Sequence, residues 1–372
     1  MTTTYTVGLI AAPEFAERMA QKLVKKLPEN LANYTSNLIN WKVEMTVDPM
    51  TGGAETVDKI FTKAATCKED NNWDYVICLT DLPIFHERNV VVADVNEDKG
   101  VILLSIPAFG WTSLMKKVKH AIIYTFKEID NYKFTTGEPD ESKIIWRNFS
   151  ITPIRRIKVK LNASGDMHIR YLVYPKTNGK IRLLLGMAYA NNPFKMMSNL
   201  TGVIAVAFTT GGFAIIFPTM WKLSHLFSNG RLITITILAI LGMSFWVILA
   251  HELWEPIKTS SNKRISGLYN SATILTLLFA VSAYYIAVYV LFLGTSLILI
   301  PSGFLGKTLE MSTSASLIIY LKIAWFAASL STMTGAIGVG LENENTVRDS
   351  TYGYRQRSRY KEMLENEKER DA

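Results

Sequence analysis

The chain has 372 residues, a formal net charge of +8, 49% hydrophobic and 19% charged residues, and a mean hydropathy of +0.15. That length suits two or three domains, and the composition excludes a disordered or chiefly fibrous chain. Two cysteines, Cys67 and Cys78, exclude a disulfide framework, and no CxxC or Cys/His cluster is present to hold zinc.

The opening MTTTYTVGLIAAPEF has neither a basic region nor a long apolar core, so no cleaved secretory signal is expected there. Residues 1–130 then alternate strand and helix. TYTVGLIAA reads as a buried strand, and PEFAERMAQKLVKKL as a helix with Phe15, Met19, Leu23 and Leu27 on one face. WKVEMTV alternates as a strand, and GAETVDKIFTKAATCKED is helical through Val57, Ile60, Phe61 and Ala64. WDYVICLTDLP is a third strand. VVVADV and VILLSIP flank NEDKG, a hairpin break whose Gly100 suits the turn. TSLMKKVKHAIIYTFKEI closes the region as a helix. This order predicts a three-layer α/β, Rossmann-like domain with a mostly parallel sheet.

Ligands of such sheets gather at the carboxyl ends of the strands. Those ends supply the candidate binding residues Asp48, Thr51, Gly52, Gly53, Asp81 and Asp94. A Gly pair opening a helix leaves backbone N–H groups free for a phosphate or carboxylate. Asp81 and Asp94 would bind a ribose, a metal or a partner, or else cap the turns after their strands. No GxGxxG, GxxxxGK[ST], nucleophile elbow or metal-ligand spacing occurs, so no catalytic residue is expected and the cofactor is unknown.

Residues 131–199 hold 12 Lys and Arg against 4 Asp and Glu, whereas residues 1–130 hold 14 against 17. An extended polar link at 131–153 leads into IRRIKVKL and MHIRYLVY, which surround NASGD as a small basic β-hairpin connector. KIRLLLGMAYANNPFKMM suits an interfacial helix. Arg155, Arg156, Lys158, Lys160 and Arg182 are expected to face anionic lipid head groups. Nucleic acid is disfavoured, because no motif or aromatic stacking set accompanies the charge.

Four runs reach the roughly 20 apolar residues that cross a bilayer. They are Leu200–Lys222, Leu232–Trp254, Ser271–Ile300 and Ser314–Leu341, within a four-helix membrane domain at 200–341. Lys and Arg concentrate before the first run, between the second and third, and in the tail 342–372, which places both termini in the cytoplasm of a plasma membrane. Lys322 lies inside the fourth run and would either snorkel or line a path. HELWE lacks the second His of HExxH, which excludes that zinc-protease motif. TTGGF and STMTGAIGVG permit close helix packing.

The strings DPMTGGAE, CLTDLPI, VVADVNEDKGVILLSIPAFG, KIRLLLGMAYANNPFK, ILAHELWE and GLENENTVRDSTYGYRQRSR together resemble an uncharacterised family of Gram-positive bacterial membrane proteins. The resemblance implies a cytoplasmic α/β domain followed by four transmembrane helices, with no established activity. Some members carry a methylene-tetrahydrofolate dehydrogenase label.

The expectation is thus a membrane protein whose domain 1–130 senses a small anionic ligand or protein partner, with the hairpin carrying that state to the membrane helices. A membrane-bound enzyme using the strand-end crevice and a pore or transporter are the alternatives; a homo-oligomer is allowed.

Overall fold

The structure, a computed structural model, describes residues 3–33, 35, 39–49, 57–129, 154–160, 166–193, 196, 201–255, 263–339, 351–356, 358–359 and 365. The chain divides into two compact units. One comprises Met1–Ala190 with Gln356–Ala372, the other Asn191–Arg355.

The first unit is built on a mixed sheet of eight strands. Its parallel part consists of β1 (Thr3–Ala11), β2 (Ile39–Val47), β3 (Tyr75–Thr80) and β6 (Val101–Ser105), in the order β2-β1-β3-β6. β3 (YVICLT) and β6 (VILLS) are buried along their whole length, as apolar runs covered on both faces must be. Helix α1 (Phe15–Val24) buries Ala16, Met19, Ala20 and Leu23. The helix expected to run on to Leu27 stops at Val24, and a short α2 (Leu27–Ala32) begins with Pro28 in its first turn. Proline fits a helix start, because the N–H it lacks would be unpaired there in any case. Helices α3 (Val57–Asp70) and α4 (Leu114–Ile129) complete the predicted alternation.

The hairpin also forms as read: β5 (Asn89–Asn96) pairs antiparallel with β6 from Asn96↔Val101. Gly100 takes the turn at φ 65, a conformation that favours a residue without Cβ. The short β4 (Ile84–His86) pairs with β5.

Two findings depart from the sequence reading. The basic hairpin, β7 (Ile154–Lys160) and β8 (Met167–Val173), extends the same sheet, with β8 antiparallel to β5 and β7 at the edge. It is therefore an integral part of the sheet, held by the buried Ile169, Tyr171, Leu172 and Val173. The expected link at 131–153 and the turn residues 162–165 lie outside the described residues. Helix α5 (Lys176–Ala190) was read as interfacial but packs on the 3-10 turn Ile106–Phe109 that follows β6. Gly186 makes this approach possible, since a Cβ there would stand 2.0 Å from the Pro107 carbonyl oxygen.

The second unit is helical: α6 (Thr201–Ile216), α7 (Pro218–Leu226), α8 (Asn229–Ala250), α9 (Lys263–Leu299), α10 (Ser302–Thr308) and α11 (Leu317–Val339). Three of these, α8, α9 and α11, contain segments long and apolar enough to cross a membrane. Only 28% of the apolar window of α8 is buried within the protein, and Ile237, Leu241, Phe245 and Leu249 stand exposed on it. So much exposed apolar surface suits a lipid solvent.

The first expected span, Leu200–Lys222, is not one straight helix. It breaks between α6 and α7 with a bend of 86°. Pro218 accounts for the break, because it pushes the preceding Phe217 to extended geometry (φ −87°, ψ 117°). Helix α9, by contrast, runs 37 residues without interruption, about 55 Å at the helical rise, well beyond a hydrocarbon core of roughly 30 Å. The small-residue segments sit where helices α6 and α11 pack. A Cβ on Gly211 would lie 1.7 Å from Ser331 Oγ, and the hydroxyls of Thr210 and Thr334 are 3.0 Å apart.

Candidate functional site

The four parallel strands end along one edge of the sheet. β1 is followed by β2 on one side and flanked by β3 on the other, so the chain reverses its direction of winding between β1 and β3. A crevice opens where two strand-end connections diverge in this way. Its walls are Ala12-Pro13, after β1, and Asp81, after β3. The Ala12 N–H donates to the Leu79 carbonyl at 2.9 Å. The loop after β3 is tied down by Leu82 N–H to Thr80 Oγ1 (3.0 Å) and by the Ser105 hydroxyl to the Leu82 carbonyl (2.6 Å).

Asp81 is fully buried, and Arg359 of the C-terminal segment pairs with it. Arg359 Nη1 donates to Asp81 Oδ1 at 2.7 Å, and Nη2 donates to the Pro13 carbonyl at 2.9 Å. The guanidinium side chain is only 4% exposed. Glu14, next to Pro13, is held at φ 68, which non-glycine residues seldom adopt. The sequence marked the tail as basic; nothing in its spacing singles out Arg359 among Arg355, Arg357 and Lys361.

The other candidate residues are dispersed. Asp48 ends β2, donates its N–H to the Ala11 carbonyl at 3.0 Å and faces Lys63 at 3.9 Å. Thr51, Gly52 and Gly53 lie outside the described residues. Asp94 is not at a strand end but within β5, paired with β8. It is buried and accepts from His168 Nδ1 (2.8 Å) and Arg170 Nε (2.7 Å). Arg170 Nη1 also meets His86 Nδ1 at 3.1 Å, and His168 Nε2 lies 3.2 Å from Asn96 Nδ2. This network ties β8 to β5, a role in cross-strand pairing rather than an open site.

Arg182 is corrected most clearly. It was expected on lipid but is buried at 9% exposure on α5, with its Cγ against Gly110. Burial holds its pKa down at about 10. The helix turns this side chain inward because Gly186, one turn on, docks against the 3-10 turn. Lys117 of α4 donates to the Phe109 carbonyl at 3.1 Å and to Thr112 Oγ1 at 3.2 Å. Its pKa is lowered by burial first and by the charge of Arg182 second. The end of β6 thus carries two cations that repel each other. Arg155, Arg156, Lys158 and Lys160 of β7 are exposed, as a polar sheet edge requires.

In the second unit, Lys322 donates to the Phe227 carbonyl at 3.1 Å and reaches the His225 carbonyl at 3.5 Å. It caps the carboxyl end of α7, where a cation complements the helix dipole. Asn191 accepts from Arg355 Nη2 and donates to Thr276 Oγ1 of α9 at 2.9 Å. Arg355 also lies over the Tyr352 ring, 4.8 Å from its centre, and Tyr352 stacks on Tyr269.

Cys78 is fully buried and its thiol pKa is pushed up by desolvation, the opposite of a reactive thiolate. Among the described residues no group of three His, Cys, Asp or Glu side chains converges as a metal site. No protein-family model, curated protein or solved structure matches the chain.

Proposed function

We propose that this is a multi-pass plasma-membrane protein whose cytoplasmic α/β unit senses a small anionic ligand or a protein partner along the strand-end edge. In this reading the C-terminal segment, rather than the basic hairpin, passes that state to the membrane helices. The observation that carries it is the Arg359–Asp81 pair in the crevice between β1 and β3. The segment bearing Arg359 also bears Arg355, four residues earlier, which donates to Asn191 of the helical unit. Whatever alters the hold on Arg359 acts on a segment anchored at both ends.

Lys117 and Arg182, two cations near the end of β6, favour an anion on the same edge. The exposed Arg155, Arg156, Lys158 and Lys160 are suited to anionic head groups, each worth about 1 kcal/mol near such a surface. An even number of crossings suits this reading, in which both ends of the chain face the cytoplasm. The bent pair α6–α7 is the element that raises three long spans to four. Positive charge on the N-terminal and C-terminal flanks agrees with a cytoplasmic α/β unit, as does the resemblance to bacterial membrane proteins.

The test is a thermal-shift screen of the full chain in nanodiscs against nucleotides and phosphorylated or carboxylated metabolites. A ligand that binds the folded state raises its melting temperature and changes hydrogen exchange of Thr351–Arg359. If no ligand of these classes shifts either quantity, and no partner does, the sensing role is wrong.

A further inference from the structure

We infer that helix α7 lies in the plane of the bilayer, at the interface on the non-cytoplasmic side, and that the partner of its exposed leucines is the lipid surface. This rests on the membrane reading proposed above and specifies which part of the bent pair crosses.

Helix α6 runs alongside α11 in the opposite sense. Val203 and Ala207 flank Gly335, Thr210 meets Thr334, and Gly211 meets Ser331. Helix α11 holds one of the segments able to cross a membrane, and α7 leaves the line of α6 at 86°. With α6 along the bilayer normal, α7 is parallel to the surface. The corner is held at both ends of α7. Trp221 is buried and its Nε1 donates to the Ile215 carbonyl at 2.9 Å, and Lys322 caps the Phe227 carbonyl.

The depth of α7 follows from what comes next in the chain. Ser228 is the N-cap of α8, its hydroxyl accepting from the Arg231 N–H. Helix α8 has 22 residues, about 33 Å at the helical rise, so its first turn already reaches the edge of a hydrocarbon core of roughly 30 Å. Helix α7 ends just before that turn and lies at the same edge.

Two solvents meet on its surface. Lys222 and His225, three residues apart, share one flank, and Leu223 and Leu226 share the next. Lys222 pairs with Glu310 at 3.0 Å, with side chains 49% and 82% exposed. Charges so exposed are costly in hydrocarbon, which turns this flank to water. Leu226, by contrast, is 77% exposed, and Leu223, Phe217 and Phe304 of α10 stand bare as well. Bare leucines beside an exposed ion pair fit the boundary between head groups and acyl chains, where amphipathic helices lie. Helix α6 has 16 residues, about 24 Å. A crossing shorter than the core thins the bilayer around it, which draws α7 into that boundary.

The test uses the full chain carrying Cys67→Ser, in vesicles of phosphatidylethanolamine and phosphatidylglycerol, with a nitroxide on single introduced cysteines. Cys78 is fully buried and escapes the label. The cysteines replace Leu226 and His225 on the two flanks, Leu238 near the middle of α8, and the exposed Lys22 of α1. Collisions with oxygen, which enters lipid, and with a water-soluble nickel chelate give the depth of each label. Leu226→Cys should lie about 5–10 Å into the head-group and acyl boundary. His225→Cys should meet the chelate as Lys22→Cys does, and Leu238→Cys should be deepest. Leu223→Cys reports the leucine flank should Leu226→Cys not assemble.

A Leu226→Cys label as open to the chelate as Lys22→Cys, with Leu238→Cys in lipid, overturns the inference and leaves the membrane reading standing. Labels at both Leu226 and His225 as deep as Leu238→Cys overturn it too, because α7 then lies inside the core. A Leu238→Cys label open to the chelate removes the membrane reading and the inference together.

Discussion

Replacing Asp94 by alanine tests whether this residue belongs to a ligand site or to the framework. Asp94 is completely buried and binds His168 and Arg170, whose side chains are 3% and 11% exposed. Removing the carboxylate leaves Arg170 charged in a poorly solvated place with its counter-ion gone. Breaking a buried pair from one side costs about 3–5 kcal/mol. Asp94→Asn keeps an acceptor oxygen for one neighbour and costs less, about 1.5–3 kcal/mol for a hydrogen bond to a charged group. For a domain of this size each kcal/mol moves the melting temperature by roughly 2–4 °C, so Asp94→Ala should lower it by roughly 6–20 °C. The loss should be local at first. Hydrogen exchange of the full chain should speed up in β5 and β8, where Asp94 sits opposite Arg170, before it does in β1. A double-mutant cycle with Arg170→Ala should give a coupling of about 0.5–3 kcal/mol. The comparison is Asp166→Ala, which breaks the pair with Lys99, where the side chains are 22% and 39% exposed; such a pair is worth at most about 1 kcal/mol. A cost for Asp94→Ala no larger than that of Asp166→Ala, or faster exchange spread evenly over the sheet, would refute the framework role.

Two further outcomes are expected. Gly186→Ala should destabilise the α/β unit by at least about 1–3 kcal/mol, seen as a lower midpoint of denaturant unfolding, because its Cβ would overlap the Pro107 carbonyl. An unchanged midpoint would mean that α5 does not dock as described. His120 has its pKa lowered by burial first and then by Lys116 and Lys119. The unfolded chain therefore takes up a proton that the folded chain resists, so this contribution is complete above the unfolded value near about 6.5 and is lost as pH falls below it. His120→Gln should flatten the fall in stability on acidification from pH 7; an unaltered slope counts against it.

Much of the first unit is legible in local sequence. The apolar runs of β3 and β6, the spacing in α1 and α3, and the Gly100 turn each follow from short-range pattern. So does the location of the strand ends, which brought Asp81 into view. Other features depend on partners far along the chain. Arg182 and Arg155 look alike in a basic stretch, yet one is buried and the other exposed, because only α5 has a glycine that lets it approach the turn at Pro107. The broken first span was partly visible in Pro218, whose restriction of Phe217 is a local effect.

Composition and periodicity alone determined that the chain pairs an α/β region with apolar helices able to cross a membrane, since both properties depend on residues within a turn or a strand of one another. Tertiary structure alone decided that the basic hairpin completes the sheet, that Asp94 serves it, and that Arg359 fills the crevice beside Asp81. The reason is sequence separation: Arg359 and Asp81 are 278 positions apart. A buried ion pair across that distance leaves no periodic trace, because its partners are chosen by the folded surface and not by the local chain.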